Sequence, residues 1–298
     1  MVVGAAENER ALRVLVTGAS GQVGREVVEL LRGGRQNEVL GLGHSDLDIA
    51  DRERVLQVMG EWEPDIVINA AANTAVDACE DNVDRAFAAN ALGPRNVAEG
   101  ARNVGAYLLH ISTDFVFDGT SGSPYGEWDQ TNPLSVYGRS KLAGEQEVLS
   151  LLPGSAVVRS SWICGRYGGN IVKTVLRMAD SPSPLRFVDD QRGSPTFAAD
   201  LAVMLVRLAI SRMPGIFHVT NQGATTWYGF AGDVLAAAGH DTGRVVPIKA
   251  ADLDPPRPAP RPANSVLDNA ALRLLGVPLL VDYHEPLEIL VKYLLAST

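Results

Sequence analysis

The sequence predicts an α/β fold, built as a doubly wound parallel sheet with a smaller C-terminal domain. Apolar runs of strand length alternate with longer helix-like stretches between residues 12 and 160. The runs are apolar throughout rather than alternating with polar residues, as expected when helices cover both faces of a parallel sheet. Residues 161–298 are less regular and are expected to form most of the second domain, and residues 1–11 are expected to be a flexible tail.

The individual elements follow from the same patterns. Strands of the first domain are expected at 13–17, 38–42, 65–69, 106–111 and 155–159. Apolar residues recur with helical spacing at 23–31, 51–62, 83–104 and 140–151. Later, the sequence predicts helices at 171–179, 199–211 and 227–238 and a strand at 215–220. The segment near 196–222 is expected to return to the first domain, and the prolines of 254–264 predict a loop.

Charge and composition exclude several classes of protein. The 298-residue chain carries a formal net charge of -9, which argues against a nucleic-acid partner. Its two cysteines, Cys79 and Cys164, lack the spacing of a zinc site or a disulfide framework. We see no signal peptide and no apolar run of membrane-spanning length. A cytoplasmic protein without a membrane partner is therefore expected.

Three glycines follow the first predicted strand, in the stretch VLVTGASGQVGRE. Gly18, Gly21 and Gly24 are spaced as G-x-x-G-x-x-G between that strand and the first helix. Glycine there permits a tight turn and lets a pyrophosphate approach the amides of the helix N-terminus. A plain glycine-rich turn is the alternative, but the position favours a Rossmann-type dinucleotide-binding domain over residues 12–160.

A second pair of motifs, STDFVFDG and VYGRSKLAGE, carries candidate catalytic side chains. Tyr137 and Lys141 stand four residues apart and therefore share one face of a helix. A tyrosine with its ordinary pKa of about 10 is a poor acid near neutrality, and a neighbouring ammonium lowers that pKa. Thr113 is expected at the carboxyl edge of the sheet, where its hydroxyl can bond a carbonyl oxygen that the tyrosine protonates.

Together these motifs resemble the extended short-chain dehydrogenase/reductases, and within them the dTDP-4-dehydrorhamnose reductase family. The resemblance also includes PDIVINAAANTAVDACE, SSW, DQRGSPT and RPANSVLD, and runs from about residue 13 to near the C-terminus. It implies reduction of the C4 keto group of dTDP-4-dehydro-L-rhamnose by NADPH or NADH. It also implies that residues 161–298 mostly bind the nucleotide sugar.

The resemblance implies roles for individual residues. Tyr137 would donate the proton, Lys141 would hold the nicotinamide ribose and tune Tyr137, and Thr113 would orient the carbonyl. The implied substrate-binding residues are Thr113, Asp114, Trp162, Asn170 and Arg261. An ordinary core position is the alternative for Trp162, and a solvated one for Arg261. The implied cofactor-binding residues are Gly18, Ser20, Gly21, Gln22, Val23, Gly24, His44, Asp48, Ile49, Ala70, Ala71, Ala72, Asn73, Thr74, Tyr137 and Lys141.

Among the departures of the chain from the family pattern, two bear on bound ligands, and a third is Cys164, which stands where an aromatic residue is common. Gly43 and His44 stand where the family often carries an acidic residue at the end of the second strand. Losing that carboxylate removes repulsion against a 2′-phosphate, which favours NADPH with NADH tolerated. Glu26 matches a position that binds a dimer-bridging magnesium ion in some members, whereas Ala199 and Asp200 stand where a second glutamate is expected. A homodimer and a magnesium ion are therefore left open.

Three other functions are considered. A 4,6-dehydratase or epimerase is disfavoured because elimination would need a glutamate after Asp114, and Phe115 stands there. A non-catalytic, cofactor-binding subunit like the regulatory subunit of methionine adenosyltransferase would not require the set Thr113, Tyr137 and Lys141. A 4-ketoreductase acting on another dTDP-deoxysugar is left open, because pocket shape reads the configuration of the sugar.

Overall fold

A six-stranded parallel sheet organises the first part of the chain in the computed structural model, which describes residues 11–34 and 37–297. The described strands are β1 Arg13–Thr17, β2 Glu38–Leu42, β3 Ile66–Asn69, β4 Tyr107–Thr113, β5 Ala156–Ser160, β6 Ile163–Cys164, β7 Leu185–Val188, β8 Arg192–Gly193, β9 Thr196–Phe197, β10 Gly215–His218, β11 Thr225–Thr226 and β12 Val245–Ile248. The sheet runs in the order β10-β5-β4-β3-β1-β2. The chain order reverses between β1 and β3, which is where open α/β sheets bind ligands.

Helices cover both faces of this sheet. The described helices are α1 Gln22–Gly33, α2 Arg52–Trp62, α3 Val76–Asp81, α4 Val83–Phe87, α5 Gly93–Val104, α6 Val136–Leu151, α7 Ile171–Ala179, α8 Ala198–Ile210, α9 Trp227–Ala237, α10 Ala270–Leu274 and α11 His284–Ala296. Val14 and Val16 of β1 lie in the apolar cluster of α1 and α8, and Leu15 between them lies in the cluster of α2 and α5. This alternation explains why the strand is apolar throughout.

The predicted return of the later chain to the sheet is seen at β10. Gly215 to His218 pair in parallel with β5 and form one edge of the sheet. A separate apolar cluster lies wholly within residues 164–291 and includes Phe230, Val234 and Leu287. The division near residue 160 stays a prediction. Of the predicted tail 1–11, residues 1–10 lie outside the described residues.

Two helices differ from their predicted bounds by more than two residues. The predicted helix 83–104 contains a π turn at Ala88–Leu92 between α4 and α5. Within that turn, the Asn90 amide bonds both backbone groups of Asn73 and the Ser140 hydroxyl, at 2.8 to 3.1 Å. Helix α6 begins at Val136, four residues before its predicted start. No helix of the described residues is long and apolar enough to cross a membrane.

Candidate active site

A cleft of about 770 Å³ opens at the carboxyl edge of the sheet. Its lining includes the glycine turn before α1 and, from the later part of the chain, Trp162, Trp227 and Arg257. Thr113, Asp114, Tyr137 and Lys141 also line it. Residues predicted as catalytic from two separate motifs are therefore brought to one surface.

The glycine turn joins β1 to α1. Gly18 has a φ of 67°, and the Gly21 amide donates to its carbonyl oxygen at 2.9 Å. A Cβ at Gly24 would overlap the same carbonyl oxygen. No described side chain caps the N-terminus of α1, and its first turn holds no acidic residue. The helix therefore offers backbone amides and the positive end of its dipole to an anion.

Gly21→Val is expected to abolish binding of a nicotinamide dinucleotide. A Cβ at Gly21 would meet only the Gly18 carbonyl oxygen, at 3.2 Å, a close contact for which the turn must shift slightly, and the valine methyl groups would fill the space that a pyrophosphate must enter. Gly33→Val, at the far end of the same helix with nothing within 4 Å of its Cβ, is the matched control. Fluorescence titration with NADPH measures both. Normal binding by folded Gly21→Val would contradict this phosphate site.

Thr113 and Asp114 follow each other at the end of β4. Thr113 Oγ1 donates to Asp114 Oδ1 at 2.9 Å, and both side chains are buried. Burial raises the pKa of Asp114 to about 6, although the Ser265 and Thr113 hydroxyls oppose the rise. Despite the nearby Ser265 hydroxyl, Asp114 Oδ2 has no partner of hydrogen-bond geometry among the described residues. A ligand hydroxyl could supply one.

Tyr137 lies in the first turn of α6. The Ser135 hydroxyl caps this helix by accepting from the Gly138 amide at 3.1 Å. The Tyr137 ring packs edge to face against Phe115, with ring centroids 5.5 Å apart. The cap and this ring contact place the Tyr137 side chain in the cleft lining.

Burial governs the pKa of Tyr137 in this structure, and the lowering expected from Lys141 stays a prediction. Lys141 Nζ donates to the Ile111 carbonyl oxygen at 2.6 Å. Burial raises the pKa of the phenol and the Asp114 charge raises it further, while the Thr113 hydroxyl lowers it. Tyr137 is therefore protonated at neutral pH, which is the form that can act as an acid.

Lys141 is itself buried, with 2% of its surface exposed. Burial lowers its pKa to about 8, and the charge of Glu145 partly opposes this. Besides the Ile111 carbonyl, its Nζ lies 3.4 Å from Nε2 of His110. A pKa of about 8 means that the Lys141 ammonium loses its proton only slightly above neutral pH.

An ion pair is buried beneath these residues. Arg159 of β5 binds both carboxylate oxygens of Glu145 at 2.7 to 3.2 Å, and the two side chains are 3% and 2% exposed. The Ser112 hydroxyl donates to the same carboxylate at 2.5 Å. The pair fixes α6 against β4 and β5 one turn beyond Lys141.

Two tryptophan rings form part of the cleft lining. Trp162 stacks on Trp227, with ring centroids 3.5 Å apart and an angle of 8° between the rings. Trp162 has a φ of 46°, a left-handed conformation that few non-glycine residues adopt. Both rings line the cleft, so Trp162 is not simply a core residue. Sequence reasoning had not singled out Trp227.

Two residues predicted at the substrate diphosphate have protein partners. Arg261 lines the cleft, but its guanidinium binds both carboxylate oxygens of Asp77 at 2.6 and 2.8 Å. Asn170 caps α7 by accepting from the Lys173 amide, and does not line the cleft. Arg257, which sequence reasoning missed, lines the cleft and forms no ion pair within the described chain. Its place in the proline-rich loop gave no signal.

The predicted cofactor residues divide into two groups. Seven of them outside α6 line the cleft: Gly21, Gln22, Val23, Gly24, Ala70, Ala72 and Thr74. The remainder do not: Gly18, Ser20, His44, Asp48, Ile49, Ala71 and Asn73. Ile49 is a buried core residue, and His44 and Asp48 are exposed. They lie beyond the end of β2, outside the walls of the cleft.

Asp46 places a carboxylate beside Gly43 at the end of β2. Its Oδ2 accepts from the Gly43 amide at 2.8 Å, and lies 3.3 Å from where a Cβ of Gly43 would be. The end of β2 therefore carries a carboxylate after all, supplied from three residues further on. Positions 43 and 44 themselves carry no acid, but a turn brings the Asp46 carboxylate to the strand end.

The residues considered for magnesium are engaged elsewhere. Glu26 is buried and forms an ion pair with Arg166. Asp200 accepts from the Asn221 amide at 2.7 Å. No cluster of three or more His, Cys, Asp or Glu suited to a metal ion occurs in residues 11–34 and 37–297.

The donor set fits a nicotinamide dinucleotide. The uncapped α1 amides suit its pyrophosphate, Ala70 and Ala72 of the segment that follows β3 line the cleft, and Lys141 supplies a cation in the same cleft as Tyr137. This fold with this site defines the extended short-chain dehydrogenase/reductases as the class. Within it, the chain belongs to the family described as RmlD substrate binding domain, whose model matches residues 12–295.

Known proteins similar to the chain agree with this family. It is 43% identical over 272 residues to dTDP-4-dehydrorhamnose reductase of Streptomyces griseus, covering 89% of this chain and 88% of that one. It is 42% identical over 280 residues to a probable dTDP-4,6-dihydroxy-2-methyloxan-3-one 4-ketoreductase of Streptomyces antibioticus, covering 93% of each. The crystal structure of Bacillus anthracis dTDP-4-dehydrorhamnose reductase in complex with NADP matches with a TM-score of 0.91 and 37% identity, over 95% of this chain and 99% of that one.

Proposed function

We propose that this protein reduces the C4 keto group of dTDP-4-dehydro-L-rhamnose to give dTDP-L-rhamnose, using NADPH or NADH. The observation that carries the proposal is the convergence of Thr113, Tyr137 and Lys141 on one cleft that begins at the glycine turn. The similarity to named dTDP-4-dehydrorhamnose reductases over most of the chain supports it.

In the reaction, each residue acts on a stated atom. When bound, the nicotinamide would supply the hydride that adds to C4. Thr113 orients the C4 carbonyl through its hydroxyl, and Tyr137 donates its phenolic proton to the oxygen as negative charge develops there. Lys141 holds the nicotinamide ribose with its ammonium. Asp114 accepts a hydrogen bond from a hydroxyl of the sugar. Trp162, stacked on Trp227, packs against the hexose ring.

The diphosphate of the substrate is assigned to Arg257 together with Arg261. Arg261 already forms an ion pair with Asp77, and the Asp77 carboxylate weakens its attraction for an anionic ligand. Arg257 has no such partner among the described ion pairs and lines the same part of the cleft. We therefore assign Arg257 the larger share of diphosphate binding.

A second candidate is reduction of a different dTDP-4-keto sugar. The similarity to the Streptomyces antibioticus 4-ketoreductase, over 93% of each chain, favours keeping it. Assays with purified protein and NADPH, comparing dTDP-4-dehydro-L-rhamnose with other dTDP-4-keto sugars, decide between the two. Tight NADPH binding without reduction of any such sugar would instead support a non-catalytic regulatory subunit.

NADPH is expected to bind at least as tightly as NADH, because the Asp46 carboxylate at the end of β2 already accepts from the Gly43 amide. Asp46→Asn is expected to tighten NADPH binding about two- to fivefold. An exposed carboxylate beside the 2′-phosphate costs up to about 1 kcal/mol, and each 1.4 kcal/mol is tenfold in affinity. Fluorescence titration of both cofactors measures this, with NADH as the internal control because it lacks the phosphate. A clear preference of the wild type for NADH would contradict the assignment.

We also propose that the protein works in the cytoplasm and that any homodimer does not depend on magnesium. Glu26 is held by Arg166, so a bridging ion would have to displace an existing ion pair. Light scattering with and without EDTA is expected to give one and the same mass. A dimer that dissociates on chelation would show that other carboxylates, such as Asp200, hold a metal.

A further inference from the structure

A buried row of polar side chains leads from the crossover of the sheet to Lys141. Thr17 Oγ1 donates to Asn69 Oδ1 at 2.7 Å. The Asn69 side-chain nitrogen lies 3.1 Å from His110 Nδ1, and His110 Nε2 lies 3.4 Å from Lys141 Nζ. The first three side chains are 0% exposed and Lys141 is 2% exposed. Water therefore does not compete for these contacts.

The orientation of the Asn69 amide is fixed by its neighbours. Its Oδ1 accepts from the Ala71 backbone amide at 3.2 Å as well as from Thr17. A backbone N–H can only donate, so a flipped side chain would set two donors against each other. The NH₂ group of Asn69 must then face His110.

This orientation selects one tautomer of His110. Because Asn69 donates to Nδ1, that nitrogen must carry its lone pair, and the proton of a neutral imidazole must sit on Nε2. Burial, together with the charge of Lys141, lowers the pKa of His110 well below its ordinary value, so the ring is neutral. An N–H group therefore points at Lys141 Nζ, which can accept it only as a neutral amine.

We propose that His110 is a positioning residue for Lys141: held as the Nε2–H tautomer by Asn69, it stabilises the neutral amine and so sets the pH at which Lys141 loses its charge. The ammonium and the Nε2–H group are both donors and repel each other, whereas the amine accepts the N–H group. Lys141 Nζ can donate to the Ile111 carbonyl oxygen both as the ammonium and as the neutral amine. Only the consequence for turnover rests on the proposed function.

Other charged and titratable groups around Lys141 do not take over this role. Glu145 on α6 favours the ammonium, but Arg159 of β5 binds both of its oxygens. Tyr137 on α6 and Asp114 after β4 line the same cleft. From α3, Cys79 is buried and burial raises the pKa of its thiol, which keeps it neutral.

The tautomer is tested directly on the wild-type protein. The chain has five histidines, so a long-range ¹H–¹⁵N spectrum of the ¹⁵N-labelled full-length protein resolves each ring. The His110 signals are assigned by their absence from the spectrum of His110→Gln. We expect them to show the neutral Nε2–H tautomer at every pH near neutrality at which the protein stays folded. An Nδ1–H tautomer, or a protonated ring at neutral pH, would overturn the proposal.

The effect on Lys141 is tested by titrating its side chain. The chain has only four lysines, so ¹³Cε labelling gives four signals, and Lys141→Met assigns the one that matters. His110→Leu removes the N–H donor and is expected to raise the titration midpoint of Lys141 by about one pH unit, because a hydrogen bond to the amine is lost. His110→Gln keeps a donor and should restore the wild-type midpoint. Equal midpoints in wild type and His110→Leu, or a His110→Gln midpoint raised like that of His110→Leu, would overturn the proposal.

Turnover gives a separate readout. If the Lys141 ammonium is the active form, kcat/KM falls as pH rises through its titration, and His110→Leu should move that fall upward by the same unit. A structural role alone would lower kcat/KM at every pH without moving the fall. A shifted ¹³C midpoint with an unmoved fall in kcat/KM would overturn the proposed use of the Lys141 charge, while supporting the His110 hydrogen bond.

Discussion

Tyr137→Phe is expected to lower turnover by about 10²–10⁴-fold while leaving cofactor binding intact, because general acid catalysis contributes that much. The substitution keeps the ring and its packing against Phe115, and removes only the hydroxyl. Without that proton, the alkoxide at C4 would develop its charge in a partly desolvated cleft. Steady-state kinetics with dTDP-4-dehydro-L-rhamnose and fluorescence titration with NADPH measure the two quantities.

Matched variants separate this role from loss of structure. Tyr228→Phe makes the same chemical change outside the cleft and should turn over like the wild type. Thr113→Val should lower turnover by removing a hydrogen bond that strengthens in the transition state. Lys141→Met should reduce both turnover and cofactor affinity. Wild-type turnover by Tyr137→Phe would show that another group donates the proton.

Arg159→Met is expected to lower the free energy of unfolding by about 3–5 kcal/mol, because it leaves the Glu145 carboxylate buried without its counter-ion. The two side chains are almost fully buried, and only the Ser112 hydroxyl would still bind the carboxylate. Urea denaturation of the full chain measures the change.

The surface pair Arg273–Asp268 provides the control. It has similar two-pronged geometry, but its side chains are 53% and 38% exposed. Arg273→Met should therefore cost about 0–1 kcal/mol, as exposed pairs do. Replacing both buried partners, as Arg159→Met with Glu145→Leu, should recover much of the loss. A loss from Arg159→Met no larger than that from Arg273→Met would contradict the account of a buried pair.

The sheet could be predicted because burial on both faces leaves a strong signal in the sequence. β1 and β2 have the predicted bounds, and β4 extends two residues further to include Thr113. The start of α6 was missed because Tyr137 and Gly138 interrupt the apolar spacing. The cap residue Ser135 was the available signal.

The candidate site was predictable where chemistry and local position coincide. Tyr137 and Lys141 share one helix turn, and the glycine turn lies at a strand-to-helix junction, so both could be placed without tertiary information. The pairing of Arg261 with Asp77 could not, because 184 residues separate them. Nor could the hydrogen bond from Gly43 to Asp46, since exposed acids in a turn carry no pattern.

The π turn between α4 and α5 has a mechanical consequence. Asn90 bonds the backbone of Asn73 on one side and the Ser140 hydroxyl on the other. Asn73 belongs to the loop that follows β3, and Ser140 lies on α6 between Tyr137 and Lys141. The Asn90 side chain thus connects the loop to the helix, and a shift of either one alone would break these hydrogen bonds. We expect the loop that follows β3 and the helix turn that carries Tyr137 to shift together rather than separately, which would preserve the spacing between the cleft wall and the proton donor.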